Sequence, residues 1–310
     1  MTSAESDSSQ PDSSQSESSQ QGSENKEPEL SDRVDAFLKE LRSRSRKLSR
    51  AKNILGSVKG KQPDAADYAA WLEVRQGLEG LDMGEPALQE LKDELVAQMA
   101  KQLERMRIKA RMKFVQKLEI LAGQRGLGLD KVSESPLVYH AEPLTFEIDF
   151  DAGSARVLFG HEPIAEVAMK PAALLDAREQ AVEDLEARAL DAEAFFDRLH
   201  DAYRTVLVAD HAEFGERVDL VDVLVPLAVL GAERKRWRRE GTDALEPFGR
   251  VLLAYQLAGL RAEGVLERNG LRLELGAATG GTTRDKRDVL FVPVGAKGGQ
   301  YYGSLRFTKA

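Results

Sequence analysis

From Glu85 to Ala122 no glycine interrupts the chain, and Pro86 sits where a helix tolerates proline, in its first turn. Leu88, Leu91, Leu95, Met99, Leu103, Met106, Ala110, Phe114, Leu118 and Leu121 recur at steps of three and four. The pattern closes every eleven residues, about 3.67 residues per turn, which is close to a straight helix and unlike a heptad coiled coil. Such a helix is roughly 55–60 Å long and needs neighbours along one side. Gly123, Gly126 and Gly128 mark its exit.

The same segment is strongly basic. Lys101, Arg105, Arg107, Lys109, Arg111, Lys113 and Lys117 face only Glu104, a net of +6 over residues 99–118. On a 3.6-residue helix the row at four-residue spacing drifts by about 40° per step, so the charge covers half of a rod rather than a stripe. An earlier block, residues 33–61, has ten cations against Asp35 and Glu40, a net of +8, and includes Arg42, Arg44, Arg46, Lys47 and Arg50. Val34, Phe37, Leu41, Leu48, Ala51 and Leu55 lie at heptad spacing there, with Arg44 interrupting the seam. This predicts an amphipathic first helix, ended by Gly56 and Gly60, as the bundle neighbour of the long one. A further helix opens near Asp64, with Tyr68, Leu72 and Leu78 on one side.

Charge is segregated elsewhere too. Residues 1–32 carry eight acids against Lys26, a net of -7, and Arg234-Lys-Arg-Trp-Arg-Arg239 is a third basic block, although the whole chain is at -8. Oppositely charged blocks can pair within one molecule or seek separate partners. Phosphate tracking by the two basic helices is the reading that follows from the cations alone, with salt-sensitive binding of DNA or RNA. An acidic protein partner, the chain's own carboxylates or plain solvation are the competing destinations, and the long apolar seam could bundle with a partner or a second copy of the chain.

In the first thirty residues Ser-Ser-Gln recurs at 8–10, 13–15 and 18–20, and Ala4 is the only aliphatic side chain between Thr2 and Glu29. Nothing there offsets an ordering cost of about 1–2 kcal/mol per residue, so disorder is expected, serving as a tether, a phosphorylation target, a masking arm or plain solubilisation. No apolar run in it suits a signal peptide. Val223 to Ala232, the longest apolar run, falls far short of the roughly twenty residues of a membrane span. With no cysteine there are no disulfides or thiolate metal sites. A soluble, cytoplasmic protein without membrane attachment is the expectation.

Leu144 to Phe150 alternates apolar and polar residues, Asp151-Ala-Gly153 is a turn, and Ala155 to Phe159 and Ile164 to Val167 follow, predicting a three-stranded meander. His140 and His161 lie near Glu142, Asp149 and Glu162, but no spacing defines a metal site. His200-Asp201 and Asp210-His211 are read as exposed polar pairs. Pro171 to Ala209 reads as a helix or helix pair, Val218 to Leu230 as a buried helix around Pro226, and Leu245 to Glu263 as another helix. Asn269-Gly270 centres a hairpin over Val265 to Leu275, and Val289 to Val294 and Tyr301 to Phe307 supply more strands. Glycines at 276–281 and 295–299 lack the lysine and hydroxyl spacing of a nucleotide loop.

The helix, Leu260-Arg-Ala-Glu-Gly-Val-Leu-Glu267, and the hairpin after it together resemble the outline of a winged-helix domain, without a diagnostic motif. That resemblance implies a helix for the DNA groove, yet this one offers only Arg250 and Arg261 as cations, where base readers carry Arg, Lys, Asn or Gln. Protein packing is its expected role, leaving Arg268, Arg272, Arg284, Lys286, Arg287 and Lys297 as loop cations for phosphate.

The whole is expected to be α+β and mainly α: a tail (1–30), a helical, coiled-coil-like section (31–133), a β-meander (134–169), and a helical domain ending in a winged-helix-like antiparallel sheet (170–310). The function expected is that of a non-enzymatic accessory protein, without cofactor or metal. It would bind nucleic acid through the basic helices and dock protein through its C-terminal half. The alternative is a protein-only adaptor or assembly subunit.

Overall fold

The computed structural model describes residues 30–278, 287–295 and 298–310, with backbone alone for residues 30–33. The serine-rich tail, Arg284, Lys286, Lys297 and most of the first glycine cluster lie outside the described residues. The chain divides into two compact units, residues 1–50 and 51–310.

The first unit is described from residue 30 as most of a single helix, α1 (Leu30–Gly56). Its seam residues Val34, Phe37, Leu41 and Leu48 are exposed. The last turn of α1 belongs to the second unit, where Ala51 is buried and Ile54 lies against Gly77.

The second unit is α+β, with two antiparallel sheets. Asp64 caps a short 3-10 turn that leads into α2 (Tyr68–Glu79), which packs on α3 (Pro86–Gln124). Lys92 is buried between them, its Nζ donating to the Leu81 carbonyl at 2.7 Å, while the Gln89 side chain accepts from the Met83 N–H at 3.0 Å. These bonds fix the turn between α2 and α3. The eleven-residue seam is buried at Met99, Leu103, Ala110, Phe114 and Leu118. Leu91 and Leu95, read from the sequence as part of it, are exposed, because α2 and the first sheet are shorter than the rod they cover.

That sheet is a five-stranded meander: β1 (Asp130–Glu134), β2 (Leu137–Ala141), β3 (Leu144–Asp149), β4 (Ser154–Phe159) and β5 (Glu162–Ala168). It has two more strands than the sequence suggested. Tyr139, Phe146 and Val157 stand in register across the three central strands, all buried, as do Leu137, Ile148 and Ala155. The apolar face of the sheet meets α3 through Phe150, whose ring sits edge-on to Phe114 at 5.6 Å.

The expected helical stretch after it is a pair, α4 (Pro171–Arg188) and α5 (Ala192–Asp210), broken where Asp191 caps the Ala194 N–H at 2.7 Å. The apolar run that follows forms β6 (Val218–Asp219), a 3-10 turn and α6 (Leu224–Gly231). Leu227 is buried, but Val225, Val229 and Leu230 are exposed, contrary to the expected buried helix. The third basic block is α7 (Arg234–Glu240), and α8 (Arg250–Ala262) starts later than read. β7 (Glu267–Arg268) turns through Asn269 and Gly270, both at positive φ, into β8 (Leu271–Ala277). β9 (Leu290–Val294) and β10 (Gly298–Lys309) complete the second sheet, in which β10 lies between β6 and β8 and also pairs with β9.

Candidate binding surfaces on the helices

The cations singled out on α3 separate into two sets. Arg107 reaches Asp151 at 2.9 Å, Arg111 reaches Glu134 at 2.6 Å, and Lys113 reaches Asp64 at 3.2 Å. All three acids belong to the turn before α2 or to the meander, so this side of the rod is docked onto the chain's own carboxylates. The hydrogen bond from Lys113 is the main reason the Asp64 carboxyl is held below its ordinary range. Lys131 first, and Arg111 after it, do the same for Glu134.

The other set faces outward. Lys101, Arg105, Lys109 and Lys117 are exposed and make no ion pair among the described residues. Ile108 and Met112 are interleaved with them, 76% and 68% exposed. Lys101 and Arg105 also rim a groove of about 320 Å³ floored by Trp71, Leu95, Met99 and Met106. The buried Trp71 Nε1 has no acceptor there. A phosphate backbone would leave these apolar groups wet, whereas an amphipathic protein surface would cover them.

On α1, Arg42, Arg44, Arg46 and Arg50 are exposed and Lys47 is half-buried. Arg44 pairs with Glu40 at 2.9 Å along the helix. Phe37 stands 65% exposed beside them. On α7, Glu240 and Glu246 hold Arg236, and Glu240 also holds Arg239.

Four described cations of the C-terminal region, Arg250, Arg261, Arg268 and Arg272, are paired internally. Arg250 makes a forked pair with Glu162 at 2.7 and 3.0 Å and donates to the carbonyls of Arg287 and Val289. Arg261 donates to the Tyr302 hydroxyl at 2.5 Å. Arg268 pairs with Glu193 and Asp197, and Arg272 with Glu267. α8 has no exposed residue from Arg250 to Arg261. The first sheet covers part of it, with Phe159 edge-on to Tyr255 at 5.5 Å. The buried Gln256 amide closes both hydrogen bonds of the Leu190 backbone at 3.0 Å.

His161 packs against Phe291 and stacks on Tyr301. His200, expected on the surface, is half-buried against Phe307, and burial pushes its pKa down. Among the described residues no three His, Asp or Glu converge as metal ligands, and no helix is long and apolar enough to cross a membrane. A cavity of about 440 Å³ lined from the end of α4 and from α5, α6, α7 and the start of α8 has Arg188, Arg198 and Glu233 on its wall, and its described lining brings no nucleophile and base together. No protein-family model, curated protein or solved structure matches the chain.

Proposed function

We propose that this chain is a non-enzymatic assembly subunit that binds protein through the outward faces of α1 and α3. The observation that carries the reading is the mixing of apolar and basic groups on α3. Ile108 and Met112 lie exposed among unpaired cations, beside a groove with an apolar floor and a basic rim. An acidic amphipathic helix laid on this surface would satisfy both kinds of group. Covering each exposed aliphatic side chain is worth about 1.5–3 kcal/mol, enough to anchor a contact. A photo-crosslinking amino acid replacing Met112 in the full chain should give a discrete protein adduct that survives nuclease. Adducts to nucleic acid alone would overturn the reading.

Nucleic-acid binding is the second reading, favoured by one observation: Lys101, Arg105, Lys109 and Lys117 have no carboxylate partner among the described residues. On this reading α1 contributes Arg42, Arg46 and Arg50. The helical domain of residues 170–310 would then end in a winged-helix-like sheet, a reading that the position of β10 between β6 and β8 supports, with α8 as the counterpart of the groove-reading helix. The burial of α8 limits that module to protein packing, so duplex would have to meet α1 and α3. Such binding should fall steeply between 50 and 200 mM salt, as for about four to seven phosphate contacts. Charge reversal of Lys101, Arg105 and Lys109 should flatten the slope. Salt-independent binding would remove this reading.

A further inference from the structure

We infer that α1 pairs with α1 of a second copy of this chain, antiparallel, about a two-fold axis passing by Leu41. This rests on the protein-binding reading above and names the partner for one of its two surfaces. The seam of α1 maps onto itself when position i faces position 82 minus i. Val34 then faces Leu48 of the other copy, Phe37 faces Ser45, and Leu41 faces its own equivalent. All three pairings lie on one face of the helix, since Val34, Phe37, Leu41, Ser45 and Leu48 are spaced by three or four. That face is open along its length: Phe37 is 65% exposed, and Val34, Leu41 and Leu48 are each between 46% and 49% exposed. Small Ser45 opposite Phe37 leaves room for the ring.

Charge fixes the direction. Residues 34–40 contain Asp35 and Glu40 against Lys39, a net of -1, whereas residues 42–50 contain Arg42, Arg44, Arg46, Lys47 and Arg50, a net of +5. A parallel pair would place the five cations of one copy directly beside those of the other. An antiparallel pair sets each basic half against the weakly acidic half. Arg44, which interrupts the apolar spacing, faces exposed Leu38, where its aliphatic stem can cover the leucine while its guanidinium stays wet.

The chain has no cysteine, so each introduced thiol is unique. In the full chain under mild oxidation, Leu41→Cys should give covalent dimers by itself. Val34→Cys and Leu48→Cys should each stay uncrosslinked alone but crosslink when mixed. Arg50→Cys, on the opposite face, should stay uncrosslinked throughout. Light scattering at 5–100 µM, a range chosen on the order of common self-association constants, should show twice the chain mass for the wild type. It should show a single mass for Leu41→Glu, with an unchanged circular dichroism spectrum. Self-crosslinking of Val34→Cys and of Leu48→Cys, each alone, would mean a parallel pair and overturn the proposal. So would a wild-type monomer, including one whose α1 instead binds phosphatidylserine vesicles. A monomer that still gives the protein adduct at Met112 would overturn this pairing and leave the α3 reading standing.

Discussion

α1 and α8 are both amphipathic helices with leucines at helical spacing and arginines nearby, and they meet opposite fates. In α8, Leu253, Ala254, Leu257 and Leu260 are fully enclosed, and both arginines are tied to internal acceptors. In α1, the leucines at 38, 41 and 48 stand open and Arg42, Arg46 and Arg50 point to solvent. The difference lies in what else the chain supplies. α8 follows a five-stranded sheet that offers both an apolar face and Glu162, whereas α1 is covered by nothing else in its own compact unit among the described residues. A cation is therefore available for a partner only where its apolar neighbours have not already drawn the chain's own acids alongside.

If this contrast is sound, core truncation should separate the two helices most sharply. Leu257→Ala in α8 should cost about 3–4 kcal/mol of unfolding free energy, by its complete burial. Leu41→Ala should cost under about 0.5 kcal/mol in a monomeric background, as surface changes do. Denaturant titration of the full chain reads both, and equal costs would break the comparison. Next in size, Arg250→Met leaves Glu162 mostly buried without its fork and should cost about 3 kcal/mol. Restoring neutrality with Glu162→Gln in the same chain should recover part of that loss, and no recovery would mean the pair is not coupled.

Acid should act on the docked side of α3 through Asp64 and Glu134. Asp64 and Glu134 have folded pKa values below their unfolded ones, so their contribution is complete above the ordinary carboxylate range. It is lost as pH falls through the depressed folded values. Stability should decline below about pH 4, and Asp64→Asn with Glu134→Gln should blunt that decline. An unaltered acid limb would remove these pairs from the account. Smallest of all, reversing Lys101, Arg105 and Lys109 to glutamate should change the unfolding free energy, read by denaturant titration, by no more than roughly ±0.5 kcal/mol. A large loss would show that these cations are structural after all.

Much of this fold was legible in the sequence. Strong local signals did the work: the glycine-free run gave α3, Asn269-Gly270 gave the β7–β8 turn, and alternation gave β3 and β4. β1 and β2 were not legible: Leu137-Val-Tyr-His-Ala141 alternates as cleanly but is only five residues long and flanked by Pro136 and Pro143, which signal loop as readily as strand ends. The exposure of Leu91 and Leu95 could not be read, since a periodic seam says nothing about the length of its neighbours. Nor could the division of the α3 cations, because Arg107 and Lys101 differ only in which distant loop carries an acid within reach. The mixed apolar and basic surface had a signal in Ile108 and Met112. Both lie off the seam, on the side that helical periodicity assigns to solvent whatever the residue type.

The claim that binding resides on open helical faces meets its most direct test in one quantitative affinity purification from nuclease-treated extract. Full-length wild type should retain a stoichiometric protein partner that Ile108→Glu with Met112→Glu loses by tenfold or more, about 1.4 kcal/mol or greater. Arg268→Glu, in the internally paired hairpin, should retain it. Equal recovery by all three chains, or a partner that vanishes from the wild type on nuclease treatment alone, would contradict the account.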